Sequence, residues 1–99
     1  SMEIIKNQTE NSIDLSIIGR LDTSTAPQLD NEIQNGLEGI TNLVFNFEKL
    51  EYVSSAGLRV LLSAQKTMNK QGTMIIRNVN EDIQEVFDIT GFSDILTIE

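Results

Sequence analysis

Residues 43–71, LVFNFEKLEYVSSAGLRVLLSAQKTMNKQ, contain the stretch that decides the fold. Residues 43–47 form a short apolar run rich in aromatic and branched side chains, which predicts a buried strand. Beyond Val53 the spacing changes, and five residues recur three or four positions apart: Leu58, Leu61, Leu62, Gln65 and Met68. This spacing puts the apolar ones on one face of a helix. The stretch therefore predicts a strand, a loop and a helix, with Ser54 and Ser55 at the start of the helix.

The junction between this strand and this helix has the sequence Ser54-Ser55-Ala56-Gly57. A serine ahead of a helix commonly accepts a hydrogen bond from the first turn, so a capping role is the simplest interpretation of both serines. Two serines beside a small residue and a glycine, on a loop that we expect to be exposed, also fit a modification site. The glycine would let a second surface approach the backbone closely. Because a helix N-terminus favours negative charge, the fold would tolerate a phosphate there.

The length and composition are those of an ordinary globular domain. A chain of 99 residues with 39% hydrophobic and 22% charged residues can form one core. We expect a single domain over residues 2–99 and interpret Ser1, which precedes Met2, as an expression scar. No apolar run has the length of a membrane span and no secretory signal is present, so we expect a cytoplasmic protein with no membrane partner.

Several classes of function are excluded by residue types that the chain lacks. It contains no cysteine and no histidine, so it has no disulfide, no thiol nucleophile, no histidine base and no zinc site of the usual kind. We therefore expect no metal and no cofactor. The net charge of −8, with seven basic residues scattered along the chain, also argues against a nucleic acid partner.

The N-terminal half predicts a hairpin followed by a helix. Apolar runs at residues 2–7 and 13–18 flank a polar turn, and residues 19–22 are expected to leave the sheet. Residues 25–28 have the Thr-x-x-Gln spacing of a capping box, with a proline that is acceptable only in a first turn. The predicted buried stripe of this helix is Ala26, Leu29, Ile33 and Leu37.

The C-terminal part predicts one more strand and one more helix. Residues 73–77 are a short apolar run, and the glutamine and glycine before them end the preceding helix. Asn78 or Asn80 could cap a helix that continues through Asp88. The apolar run at residues 95–98 is then either a last strand or a docked C-terminal segment.

These elements predict an α/β domain with a mixed sheet of four to five strands and helices packed against it. The loops at residues 19–24 and 48–55 would both follow strands, and in such sheets function usually lies at the carboxyl ends of the strands. Asp22 and Ser55 would then be neighbours, with Asp22 exposed and used for partner contact instead of stability. The expected core contains Leu43, Val44, Phe45, Leu58, Leu61, Leu62, Ile75 and Phe87.

Three segments, taken in order, resemble the STAS domain of the bacterial anti-sigma factor antagonist (anti-anti-sigma factor) family. They are residues 19–22 (GRLD), residues 45–62 (FNFEKLEYVSSAGLRVLL) and residues 86–96 (VFDITGFSDIL). The resemblance covers nearly the whole chain, and its central block is the specific part. It implies a STAS-like fold and a regulatory binding protein that is not an enzyme.

The resemblance also implies a partner-switching mechanism. In this family the unmodified antagonist binds an anti-sigma factor that is also a GHKL-type serine kinase, and a sigma factor is released. The kinase then phosphorylates a serine of the antagonist, and a PP2C-type phosphatase removes the phosphate. Catalytic residues are not expected in the antagonist itself.

The family pattern Asp-Ser-(Ser, Thr or Ala)-Gly-Leu, matched through Gly57-Leu58, assigns the phosphorylated serine to Ser55. Ser54 stands where the family usually has aspartate and is the second candidate. Asp22 matches an acidic residue that the family places beside the phosphorylation site. The residues that we expect to bind the partner are Asp22, Thr23, Ser54, Ala56, Gly57 and Arg59.

Two other functions remain open at the level of the sequence. An unswitched STAS scaffold in a stress-signalling or lipid-transport assembly would use the same surface, with both serines as plain helix caps. A small enzyme would use Ser55 as nucleophile aided by Asp22, but the chain has no histidine and no lysine expected near the loop to act as base. The identity of the kinase and of the sigma factor, and the existence of a weak homodimer, are also left open.

Overall fold

Five strands and three α-helices follow one another in the computed structural model, which describes residues 1–99. The elements are β1 (Met2–Gln8), β2 (Ser12–Leu21), α1 (Ala26–Gly36), β3 (Asn42–Asn46), β4 (Leu50–Val53), α2 (Ser55–Gln71), β5 (Thr73–Arg77) and α3 (Glu81–Thr90), followed by a 3₁₀ turn at Phe92–Asp94. None of the helices is long and apolar enough to cross a membrane.

The sheet is mixed, as predicted, with the order β1-β2-β3-β5. Strand β1 is antiparallel to β2, whereas β2, β3 and β5 run parallel to one another. Parallel neighbours need a crossover, and α1 and α2 provide the two crossovers that the pattern predicted. The prediction of an α/β fold with a four- to five-stranded mixed sheet is therefore confirmed.

Strand β4 is the element that sequence reasoning missed. Residues 48–55 were expected to form a loop, but Leu50–Val53 pairs in parallel with the end of β2, with a register shift between Gly19 and Arg20. Leu50 and Val53 are buried, which explains why this short segment stays on the sheet. The expectation that the chain leaves the sheet at residue 19 is also wrong. Strand β2 continues through Leu21, and its last residues pair with β4.

One hydrophobic core lies between the sheet and the helices. Alternate residues of β2 (Ile13, Leu15, Ile17) point into it. Five of the residues predicted to be in the core do belong to it: Leu43, Phe45, Leu58, Leu61 and Phe87. Because all three helices contribute their buried stripes to this one cluster, the opposite face of the sheet is free of helices.

Of the remaining three core predictions, the burial of Val44 is confirmed, whereas those for Leu62 and Ile75 are wrong. Leu62 and Ile75 are only half-buried. Val44 is buried but lies outside the cluster, since its neighbours in β3 point inward and side chains alternate along a strand. In β5 the inward positions are instead Met74 and Ile76.

The start of α1 differs from the predicted capping box. Pro27 lies in the first turn as expected, but Thr25 makes no capping hydrogen bond with its side chain. The Thr25 Oγ1 hydroxyl instead donates to the Arg20 carbonyl at 2.7 Å and accepts from the Asp22 N–H at 2.8 Å. Thr25 thus ties the end of β2 to the start of α1.

The start of α3 agrees with one of the two predicted caps. Asn80 Oδ1 accepts a hydrogen bond from the Ile83 N–H at 2.8 Å, so Asn80 is the cap and Asn78 is not. The chain beyond α3 docks through a parallel bridge between Ile76 and Ile98 and through Leu96, which is buried in the core. The C-terminal segment is therefore docked and does not form a full strand.

Candidate functional site

The ends of β2 and β4 lie side by side at one edge of the sheet. Leu21 is paired with Val53, and the Ser54 N–H donates a hydrogen bond to the Leu21 carbonyl at 2.9 Å. Asp22 directly follows Leu21, and Ser55 directly follows Ser54, so both residues emerge at the same edge. The expectation that their loops are neighbours is confirmed, although no hydrogen bond joins the two side chains.

Ser54 is the cap of α2. Its backbone is extended, with φ −99° and ψ 176°, and its Oγ accepts a hydrogen bond from the Gly57 N–H at 3.4 Å. The residue is half-buried. The capping interpretation of Ser54 is therefore confirmed.

Ser55 is in a different situation. It is the first residue of α2 and is exposed, and its hydroxyl makes no hydrogen bond to the protein. The capping interpretation therefore does not extend to this second serine. The structure gives the adjacent serines different environments, one engaged in the fold and one facing solvent.

Gly57 is buried against β2, which contradicts the expectation that its backbone is open to another surface. A Cβ atom at this position would stand 2.7 Å from Cγ of Leu21 and 3.0 Å from its carbonyl oxygen. The close approach that glycine permits is thus an internal one, between α2 and β2. Gly57 can shape a binding surface, but the Leu21 side chain covers it.

Asp22 organises the turn between β2 and α1. Its Oδ1 accepts hydrogen bonds from the Ser24 hydroxyl at 2.8 Å, the Ser24 N–H at 3.0 Å and the Thr25 N–H at 3.1 Å. The bond from the Ser24 hydroxyl is the main reason why the pKa of Asp22 is lowered to about 2; partial burial opposes this shift and the two N–H bonds add to it. The side chain is only 25% exposed, so the expectation of an exposed residue without a structural role is wrong.

Arg20 and Tyr52 extend this edge onto the helix-free face of the sheet. They are opposite each other in the β2–β4 register, and the Arg20 guanidinium lies 4.3 Å from the centre of the Tyr52 ring. Arg20 Nε is also 3.6 Å from Oδ2 of Asp22. Tyr52 is 42% exposed, and exposed aromatic rings are enriched in protein interfaces. Sequence reasoning missed this pair because it depends on the register of β4.

A groove of about 410 Å³ runs between the first turns of α1 and α2. Its lining residues are Thr23, Ala26, Pro27, Asp30, Ala56, Arg59, Val60 and Ser63. Three of the predicted partner-binding residues, Thr23, Ala56 and Arg59, are thus brought together in one concave surface. Asp22 and Ser54 lie beside it at the strand ends, and Gly57 lies beneath it.

Comparison with known proteins identifies the family. Residues 3–99 match the model of the STAS domain, and the chain therefore belongs to the STAS domain family. The resemblance seen in the three sequence segments is confirmed.

Its relatives include proteins named anti-sigma-B factor antagonist. The one from Bacillus subtilis is 34% identical over 92 residues, which cover 92% of this chain and 84% of the relative. The one from Listeria monocytogenes is 31% identical over 102 residues, covering 100% of this chain and 88% of the relative.

Solved structures share the fold. An anti-sigma factor antagonist from Mycobacterium paratuberculosis aligns with a TM-score of 0.89 and 19% identity, over 99% of this chain and 85% of its own. The anti-sigma factor antagonist SpoIIAA in its unphosphorylated form aligns with a TM-score of 0.71 and 20% identity, over 100% of this chain and 87% of its own. The Bacillus cell fate determinant SpoIIAA in its phosphorylated form aligns with a TM-score of 0.76 and 20% identity, over 100% of this chain and 91% of its own.

Proposed function

We propose that this protein is an anti-sigma factor antagonist that binds an anti-sigma factor kinase and is switched off by phosphorylation of Ser55. The observation that carries the proposal is the exposed hydroxyl of Ser55, free of hydrogen bonds at the first position of α2. The names of the relatives, and the existence of SpoIIAA in both phosphorylated and unphosphorylated forms, support it.

The choice of Ser55 over Ser54 follows from their surroundings. Ser54 is half-buried and its Oγ accepts a hydrogen bond from the first turn of α2, so a phosphate on it would disturb the cap. A phosphate on Ser55 would point into solvent at a helix N-terminus, where negative charge is favoured. The fold would then survive the modification.

The switch acts through charge. Phosphorylation adds about 1.5 to 2 negative charges to a surface that a partner must desolvate in order to bind. Near Ser55 the small neutral residues Ala56 and Thr23 line the groove, and Arg59 lies one helical turn further along α2. Burying the added charge against a partner that fits the unmodified surface is unfavourable, so binding is lost.

The proposed partner surface combines the predicted residues with two that the structure adds. The predicted contacts are Asp22, Thr23, Ser54, Ala56 and Arg59, with Gly57 shaping the surface from below. Arg20 and Tyr52 extend it along the edge of the sheet.

We assign the kinase to the GHKL type and the reversing phosphatase to the PP2C type, because that is what the family resemblance implies. The single domain over residues 2–99 and the cytoplasmic location stay predictions.

An enzymatic function is disfavoured by the state of Asp22. A nucleophilic Ser55 would need a base, and Asp22 is the carboxylate that the small-enzyme hypothesis assigned to help it. Hydrogen bonds from Ser24 and Thr25 occupy this carboxylate and lower its pKa to about 2, which makes it a poor proton acceptor at neutral pH. We therefore propose a binding protein that performs no catalysis.

The unswitched scaffold remains the second candidate, because Ser54 is a true cap and stands where the family usually has aspartate. The two functions differ in how binding responds to charge at position 55. With the cognate anti-sigma factor kinase, Ser55→Ala should bind as wild type does, whereas Ser55→Asp should bind more weakly. Thr9→Asp adds the same charge in the exposed β1–β2 turn, at the opposite edge, and should bind normally. Equal binding of Ser55→Asp and Ser55→Ala would contradict the charge switch.

A further inference from the structure

A phosphate on Ser55 would find one free cation within reach. Of the seven basic residues, three contact a carboxylate: Lys6 with Glu32, Arg20 with Asp22, and Arg77 with Glu99. The four that have no carboxylate partner within 4.0 Å are Lys49, Arg59, Lys66 and Lys70. Arg59 belongs to this second group, and its side chain is exposed along the groove.

Helix geometry places Arg59 next to Ser55. The two residues are four positions apart in α2, so their Cβ atoms lie about 5–6 Å apart on one face. Helical side chains lean toward the N-terminus, which directs Arg59 back over the first turn. Lys66 and Lys70 lie roughly 16 and 22 Å from Ser55 along the helix axis. Lys49 lies before β4, at the other end of that strand from Ser55.

The charged groups around Arg59 leave it free to move. Across the groove α1 contributes Asp30, which is not within 4.0 Å of the guanidinium. From the end of β2, Asp22 faces the same edge, but Ser24 and Thr25 hold its carboxylate and Arg20 already contacts it. A phosphate dianion would therefore be the strongest acceptor available to Arg59.

We propose that Arg59 binds the phosphate on Ser55, and that this ion pair withdraws the guanidinium from the groove that faces the partner. The inference rests on the proposed function in taking Ser55 as the modified residue. Guanidinium and phosphate groups form paired, charge-assisted hydrogen bonds, which a lysine reproduces only as a point charge. Phosphorylation would thus change the partner surface twice, adding negative charge at Ser55 and removing positive charge from the groove.

The pair can be measured without a kinase. Phosphoserine is incorporated at position 55 by genetic encoding, in wild type, Arg59→Gln, Arg59→Lys and Lys66→Gln, and its second ionisation, normally near pH 6, is followed by ³¹P NMR. Arg59 favours the dianion, so the phosphate pKa should rise by about 0.5 in Arg59→Gln relative to wild type. Arg59→Lys should lie between the two. Lys66→Gln removes a charge from the same helix, two turns further on, and should match wild type.

A second readout reports the contact itself. The Arg59 Nε–H resonance should shift when Ser55 is replaced by phosphoserine, and this shift should vanish as the phosphate is protonated at low pH. If Arg59→Gln and wild type have the same phosphate pKa, or if the resonance does not respond, the ion pair does not form. Either result would contradict the ion pair but would not bear on whether the kinase phosphorylates Ser55. Failure of the kinase to label Ser55 would contradict the proposed function, and the NMR comparison would still be valid.

Discussion

Gly57 in α2 and Leu21 in β2 are in such close contact that there is no room between them for a side chain. A Cβ atom on Gly57 would lie 2.7 Å from Cγ of Leu21 and 3.0 Å from the Leu21 carbonyl oxygen. The carbonyl also accepts the Ser54 N–H at 2.9 Å, so it is held in place. This contact sets how closely α2 approaches the sheet, and with it the position at which Ser55 is presented.

The first prediction concerns this contact. Gly57→Ala should lower the free energy of unfolding by about 1–3 kcal/mol, because overpacking against a fixed backbone outweighs the better helix propensity of alanine. Gly36→Ala is the matched control: Gly36 also lies in a helix, and a Cβ atom added there would lie 3.7 Å from Nζ of the flexible Lys6 side chain. That control should be neutral or stabilising. The measurement is the urea denaturation midpoint of each variant. Equal midpoints for Gly57→Ala and Gly36→Ala would show that α2 can shift away from Leu21.

The second prediction concerns the pH dependence of stability. The pKa of Asp22 is about 2 in the folded protein, below the ordinary value of 3.8. The unfolded chain therefore binds a proton first as pH falls, so the stability that Asp22 contributes is present above pH 4 and is lost between about pH 4 and pH 2. Asp22→Asn should be less stable than wild type at pH 7, because the amide is a weaker acceptor for the Ser24 and Thr25 donors.

The measurement is the urea midpoint of both proteins at pH 7, 4 and 2. The difference between wild type and Asp22→Asn should narrow as the pH falls through this window. Profiles that stay parallel down to pH 2 would mean that the hydrogen bonds to Asp22 do not favour its charged form.

The third prediction concerns a polar group inside the core. Gln65 is only 6% exposed; its Nε2 donates to Asn69 Oδ1 at 2.9 Å, but its Oε1 has no hydrogen-bond partner. A buried acceptor without a partner costs about 1–3 kcal/mol. Gln65→Met has a similar shape and no such acceptor, so it should raise the free energy of unfolding by about 1 kcal/mol. Gln65→Ala should destabilise by leaving a cavity, and a Met variant no more stable than wild type would contradict the cost assigned to Oε1.

The elements with strong local patterns could be predicted from the sequence. The hairpin, α1, the central strand, α2 and β5 follow from apolar periodicity, and the approach of Asp22 to the serine loop follows from the rule that parallel strands end at one edge. The local spacing predicts a capping role for both serines and the family resemblance assigns phosphorylation to Ser55, but only the structure shows that Ser54 alone caps α2. That separation depends on where the helix begins, which a pattern defines only to within a residue or two.

The features that were missed depend on contacts between distant segments. Strand β4 has only four residues, with Glu51 and Tyr52 exposed between Leu50 and Val53, so neither alternation nor a helical period is visible. Its partner is the end of β2, beyond a bulge that no local pattern indicates. The sequence does not predict the structural role of Asp22, because it assigns Thr25, one of the residues that donate to Asp22, to a Thr25–Gln28 capping box that the structure does not form.

The most direct test of the account is to identify the residue that the cognate anti-sigma factor kinase modifies. Wild type, Ser54→Ala and Ser55→Ala are incubated with this kinase and ATP, and the phosphorylated peptide is sequenced by tandem mass spectrometry. We predict one phosphate on Ser55 in wild type and in Ser54→Ala, and none in Ser55→Ala. Two results would contradict the assignment of Ser55 as the phosphorylated residue. One is phosphate on Ser54 in the Ser55→Ala variant together with no phosphate on Ser55 in the Ser54→Ala variant. The other is no phosphate on either serine of the wild-type protein.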